Sequence, residues 1–144
     1  MKFIKKHAFI IIIAIIVILF VLLAILTKDN KTEKVNEVDK WLEDTKNGYV
    51  VSVYAQTTCG HCKNFKPVME EVQEENGFNL YWFELDTLKE ADLNKVLNTY
   101  EMTGYKGTPY TLITNNGEVV SYKSGETTKE ALVEILTDAG VINN

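Results

Sequence analysis

Arginine is missing from all 144 residues, and cysteine and proline occur only twice each. Every one of the 15 cationic side chains is therefore a lysine, set against 20 acids, for a net charge of −5. A surface of this kind has little to offer a phosphate backbone, which excludes nucleic acid as a partner class. With only Cys59 and Cys62 in the chain, there is no third or fourth thiol for a disulfide framework or a Cys₄ zinc site. Isoleucine, lysine and asparagine are abundant instead, a usage that points to an AT-rich bacterial genome.

Charge is also missing from one long stretch. From Ala8 to Thr27 the chain reads AFIIIIAIIVILFVLLAILT, twenty residues with no ionisable side chain. At ~1.5 Å per residue such a helix spans a hydrocarbon core of about 30 Å. The competing reading is a cleaved secretory signal, whose apolar region is typically only ~7–15 residues and ends in a small-x-small site. Ala24-Ile25-Leu26 does not make that site, and no cysteine follows the run to accept a lipid. The expectation is a retained single-pass membrane anchor. Lys2, Lys5 and Lys6 precede it, while Lys28, Lys31 and Lys34 follow it, so the lysine tally is nearly balanced. The short basic start nevertheless has the form of a signal-anchor, which leaves residues 28–144 outside the cytoplasm. That part carries 12 lysines against the 20 acids. The organisation is then an anchor with its basic start (1–27), a tether and leading helix (28–48), and one domain (49–144).

Apolar spacing sets out the elements. Val35, Val38, Trp41 and Leu42 recur at helical intervals before Gly48. YVVSVYA (49–55) is β-branched and aromatic, a buried strand by composition. Phe65, Val68, Met69 and Val72 mark a helix face ending near Gly77, and LYWFEL (80–85) reads as a second strand. Leu93, Val96, Leu97 and Tyr100 suggest another helix. YTLIT and VVSYK flank Asn116-Gly117, a hairpin turn that needs positive φ. Thr127 and Glu130 fit a capping box that opens a last helix through Leu132, Ile135 and Leu136 to Gly140. The order is a helix followed by β-α-β-α-β-β-α: an α/β fold with a mixed central sheet flanked by helices, its first two strands parallel across a helix.

On this map Cys59 falls where the strand 49–55 gives way to a helix. Unpaired N–H groups and the helix dipole at that point stabilise a thiolate, which makes Cys59 the nucleophile. Cys62, one turn further in, can close a disulfide and resolve a mixed one. A zinc site lacks ligands, since His61 between the cysteines cannot easily join their tetrahedron. A purely structural bridge over so short a loop would remove little chain entropy. Redox chemistry remains, with no metal, nucleotide or flavin implied.

Further features sit at telling distances. Pro67 lies inside the helix, Thr108-Pro109 stands before YTLIT, and Gly117 and Gly125 follow at fixed intervals. This array, and GTPYTLITNNGEVVSYKSG in particular, resembles the thioredoxin family over about residues 49–140. The resemblance implies a thioredoxin fold and protein thiol–disulfide oxidoreductase activity. It also implies a cis Thr108-Pro109 bond facing the dithiol, with Thr108 and Pro109 binding an extended client segment. The pair Gly60-His61 is similar to the dipeptide of protein disulfide isomerase, not to the Gly-Pro of reducing thioredoxins. The two types differ by ~90 mV, or ~4 kcal/mol, in favour of oxidation by the first. The expected function is therefore disulfide exchange on extracytoplasmic cysteine-containing proteins or peptides, as oxidant or isomerase, with an integral-membrane partner resetting the dithiol. Two alternatives stand beside it: an accessory or binding protein for an exported peptide such as a bacteriocin, which the loose TTCxxC approach resembles, and a tethered reductase. The chain departs from the family in two places. Thr58 replaces the tryptophan before the first cysteine, and neither Val53 nor Ser52 supplies the buried acid that moves the resolving thiol's proton. Water, His61 or another residue such as Glu84 is left for that task.

Overall fold

The computed structural model describes residues 15–19 and 36–143. The chain divides into two units, residues 1–35 and 36–144. Residues 15–19 are helical and exposed; the rest of the expected span, with its basic start and tether, lies outside the described residues. Among the described residues no helix is long and apolar enough to cross a membrane.

The second unit begins with helix α1 (Glu37–Asp44), whose first turn is capped by the Asn36 side chain accepting from the Val38 N–H at 3.2 Å. The helix stops at Asp44, earlier than Gly48, with Thr45 as its C-cap. Strand β1 (Tyr49–Ala55) follows, then α2 (Gly60–Asn76), β2 (Asn79–Glu84), a 3₁₀ turn (Leu85–Thr87) and α3 (Glu90–Asn98). The hairpin of β3 (Tyr110–Asn115) and β4 (Glu118–Ser124) leads to α4 (Lys129–Asp138). One sheet results, in the order β2-β1-β3-β4. β1 runs parallel to β2 and antiparallel to β3, and β3 antiparallel to β4. At the hairpin turn Asn116 and Gly117 take φ values of 49° and 87°, the conformation their types permit.

β1 explains why the sheet needs helices on both sides. Six of its seven residues are buried, as a near-continuous apolar run requires when neither face meets water. Val50 and Tyr54 point into a cluster with Val38, Trp41, Phe83, Val96 and Leu112, under α1 and α3. Val51 and Val53 point the other way, into Phe65, Met69, Val72, Leu132 and Leu136 from α2 and α4. The leading helix is thus part of the core, since Trp41 is fully buried and packs edge-on against Phe83 at 5.3 Å.

One cap falls a residue away from its expected place. Thr128, not Thr127, caps α4, its hydroxyl accepting from the Ala131 N–H at 3.3 Å. The third helical position is then Ala131, so the reciprocal bond of a capping box cannot form; Glu130 sits one residue too early. Leu97 also departs from its apolar spacing and is partly exposed, while Val96 beside it is fully buried.

Candidate active site

The site lies at the carboxyl end of β1, where a parallel pair leaves the ends of its connecting loops free for ligands. Beyond Ala55 the chain makes one short turn, closed by the Cys59 N–H donating to the Gln56 carbonyl at 3.1 Å. The turn is held from outside by Asp86. Its two carboxylate oxygens accept from the Thr57 N–H at 3.0 and 3.2 Å, and one also accepts from the Thr57 hydroxyl. That hydroxyl, and after it the backbone N–H, hold the Asp86 carboxyl below its ordinary pKa.

Cys59 is the N-cap of α2, with extended backbone and its Sγ accepting from the Cys62 N–H at 3.1 Å. A serine or aspartate oxygen usually fills this role; here a sulfur receives the orphan donor and the positive end of the helix dipole. Cys62 stands one turn inside and is 3% exposed, whereas Cys59 is only half-buried. The two form a disulfide with Cα atoms 5.2 Å apart. When the bond is open, Cys59 is the sulfur a client thiol can reach, while Cys62 is covered.

Facing the dithiol is the Thr108-Pro109 bond, which is cis. The Thr108 carbonyl oxygen lies 3.4 Å from the Cys59 Sγ. Behind this loop the Gly125 N–H donates to the Pro109 carbonyl at 2.8 Å, from a residue with φ of +85°. The sixteen-residue interval between Pro109 and Gly125 is therefore a contact, made by a glycine whose backbone conformation disfavours side chains. Gly60 opens α2, with open space where a Cβ would stand.

Among the described residues the His61 ring makes no hydrogen bond to either sulfur. Its Nδ1 is 2.9 Å from Oε1 of Glu126, in the loop between β4 and α4. The proton-relay candidates also separate. Val53 is buried among Phe65 and Met69, so the floor beneath α2 is apolar. Ser52 faces the opposite side of the sheet, where its hydroxyl accepts from the Trp41 indole N–H at 2.8 Å. Glu84 is at the surface, 3.8 Å from the Lys66 ammonium. One polar atom does lie on the α2 face. Thr111 is opposite Val53 in the β1–β3 ladder, and its buried hydroxyl has no partner among the described residues.

Asp86 and Glu126 escaped the sequence reading. Asp86 was signalled by its place just after the second strand, at the ligand-facing end of a parallel pair. Glu126 was signalled only by following Gly125. An open groove of about 380 Å³ adjoins the site, lined by Gln56, Leu85, Asp86, Leu93, Leu97, Met102 and Tyr105. Among the described residues no group of three or more His, Cys, Asp or Glu side chains is gathered as a metal would require.

A disulfide-forming pair at a helix start, facing a proline loop across a mixed sheet, defines a dithiol exchange protein. The comparisons agree. The family model described as Thioredoxin matches residues 26–138, and the chain belongs to the thioredoxin family. Thioredoxin of Listeria monocytogenes is 33% identical over 94 residues, covering 65% of this chain and 85% of that protein. Thioredoxin of Bacillus subtilis is 31% identical over 93 residues, covering 65% and 84%. Among solved structures, thioredoxin from Aeropyrum pernix superposes with a TM-score of 0.58 at 19% identity, covering 69% of this chain and 81% of that one. Fasciola hepatica thioredoxin gives 0.55 at 20% identity, covering 71% and 90%. These two are likenesses of fold. The chain is a thiol–disulfide oxidoreductase acting through Cys59 and Cys62.

Proposed function

We propose that the protein is tethered to the membrane and exchanges disulfides with cysteine-containing proteins outside the cytoplasm, as an oxidant or isomerase. Tethering is supported by the uncharged run from Ala8 to Thr27, and its side by the basic start. The direction of exchange is carried by one observation: a histidine in the first turn of α2, between an N-cap sulfur and a buried one. An imidazole there can favour the Cys59 thiolate, and whatever stabilises the reduced form makes the disulfide a stronger oxidant.

The cycle conserves atoms and electrons. A client thiolate attacks the Cys59 sulfur, and the Cys59–Cys62 bond breaks with its electron pair leaving on Cys62, which takes a proton. A second client thiolate then attacks the client sulfur of the mixed disulfide and releases Cys59 as thiolate. The client is oxidised by two electrons and the dithiol reduced by two. An integral-membrane redox partner reverses the second change. Thr108 and Pro109 hold the client's extended segment by its backbone beside Cys59, and the apolar groove past Gln56 accepts a flanking side chain.

Likeness to the Listeria and Bacillus thioredoxins favours a second reading, a tethered reductase. Equilibration of the full chain against glutathione decides between them. An oxidant settles near about −180 mV, and a value near about −270 mV establishes the reductase instead. A membrane-impermeant maleimide should label Cys59 in intact, mildly reduced cells; labelling only after lysis would place the domain in the cytosol.

A further inference from the structure

Glu126 is carried on a segment tied to the substrate-facing loop, because the preceding residue, Gly125, donates to the Pro109 carbonyl. From there its Oε1 meets the Nδ1 of His61, 65 positions earlier in the chain. A carboxylate only accepts, so Nδ1 is the donor in this contact. Both side chains are accessible, 71% for His61 and 40% for Glu126, so neither is locked in place by packing. In the disulfide form the imidazole is engaged by this carboxylate, and it stands two positions after Cys59, in the first turn of the helix that Cys59 caps.

We infer that Glu126 is a positioning residue that competes with Cys59 for His61 and so restrains the oxidising power of the dithiol. The inference rests on the reading of His61 as the group that favours the Cys59 thiolate. When a client dithiol reduces the disulfide, two electrons pass to the protein's sulfurs, Cys62 gains a proton, and Cys59 becomes the anion. An imidazole engaged by Glu126 is then lost to that thiolate. Glu126 also adds a negative charge beside the first turn of the helix that Cys59 caps. Both effects act against the reduced form, and a less stable reduced form is a weaker oxidant.

The test uses the full chain in detergent, with Glu126→Gln as an isosteric change at an exposed position. In glutathione buffers the exchange equilibrium should move at least about threefold towards stronger oxidation, roughly 15 mV at ~30 mV per tenfold. Alkylation of reduced Cys59 by iodoacetamide at fixed pH should quicken in step. In a His61→Ala background the same Glu126→Gln change should shift the equilibrium by less than half as much. No shift, a shift towards weaker oxidation, or an equal shift in both backgrounds would overturn the role of Glu126. His61→Ala alone should weaken the oxidant. If it does so while Glu126→Gln changes nothing, this inference fails and the His61 reading survives. If His61→Ala changes nothing, both fall.

Discussion

The backbone N–H of Cys62 donates to the Sγ of Cys59 at 3.1 Å, so the second cysteine's amide caps the helix with the first cysteine's sulfur. One thiol is thereby placed at the rim with a donor aimed at it, while the other is 3% exposed. That asymmetry predicts a division of labour. Cys62→Ser should accumulate mixed disulfides between Cys59 and client proteins, visible on non-reducing gels and lost on reduction. Cys59→Ser should trap few or none, and equal trapping by both variants would contradict the assignment.

Trp41 and Ser52 are both fully buried, and the indole N–H of one donates to the hydroxyl of the other at 2.8 Å. Ser52→Ala leaves that N–H buried without an acceptor. The expected cost is about 1–3 kcal/mol, measured as a lower urea midpoint. Because Ser52 lies on the face away from α2, the reduction potential should not move.

Thr111 presents the reverse case, a buried hydroxyl with no partner among the described residues. Thr111→Val keeps the shape and removes the unpaired group, and should raise stability by about 1 kcal/mol in the same denaturation experiment. A loss of stability would mean that the hydroxyl has a partner. A slower release of mixed disulfides in this variant would identify that partner's role at Cys62.

High pH should unfold the protein through its buried tyrosines. Tyr54 is held well above the ordinary tyrosine range by burial first, then by Tyr110 and Tyr100. Burial likewise raises Tyr81, helped by its bond to Asp44, and Tyr110, helped by Tyr122. A folded pKa above the unfolded one means that stability is fully present below about pH 10 and is lost as pH rises from there. The melting temperature should fall above pH 10, and less steeply in Tyr54→Phe, which keeps the ring and removes the ionisable hydroxyl.

Much of this was legible along the chain because it depends on near neighbours. The 3.6-residue spacing of Phe65, Val68, Met69 and Val72, the continuous apolar run of 49–55 and the Asn116-Gly117 turn each fix a local geometry, and each appears where the pattern placed it. The position of Cys59 at a strand-to-helix junction is local too, and with it the accessible N-cap thiol and the second thiol one turn away. The capping threonine was misplaced by one residue because Thr127 and Thr128 are chemically alike. Only the path of the backbone out of β4 decides which of them meets the free N–H of Ala131.

What remained hidden depends on which face of the sheet a residue takes and on what arrives from far along the chain. Ser52 and Val53 are adjacent in sequence yet look into opposite cores, because successive strand residues point to opposite faces. Ser52 is spent on Trp41, and the position that faces α2 is held by the apolar Val53. The clamp of Asp86 on Thr57 spans 29 positions, and the contact of Glu126 with His61 spans 65. The sequence by itself determined the dithiol, its place at a helix start and the elements that carry it, since helix and strand periodicity act over a few residues. Tertiary structure alone decided which carboxylates reach the site, because long-range packing sets where β2 and the loop after β4 come to rest.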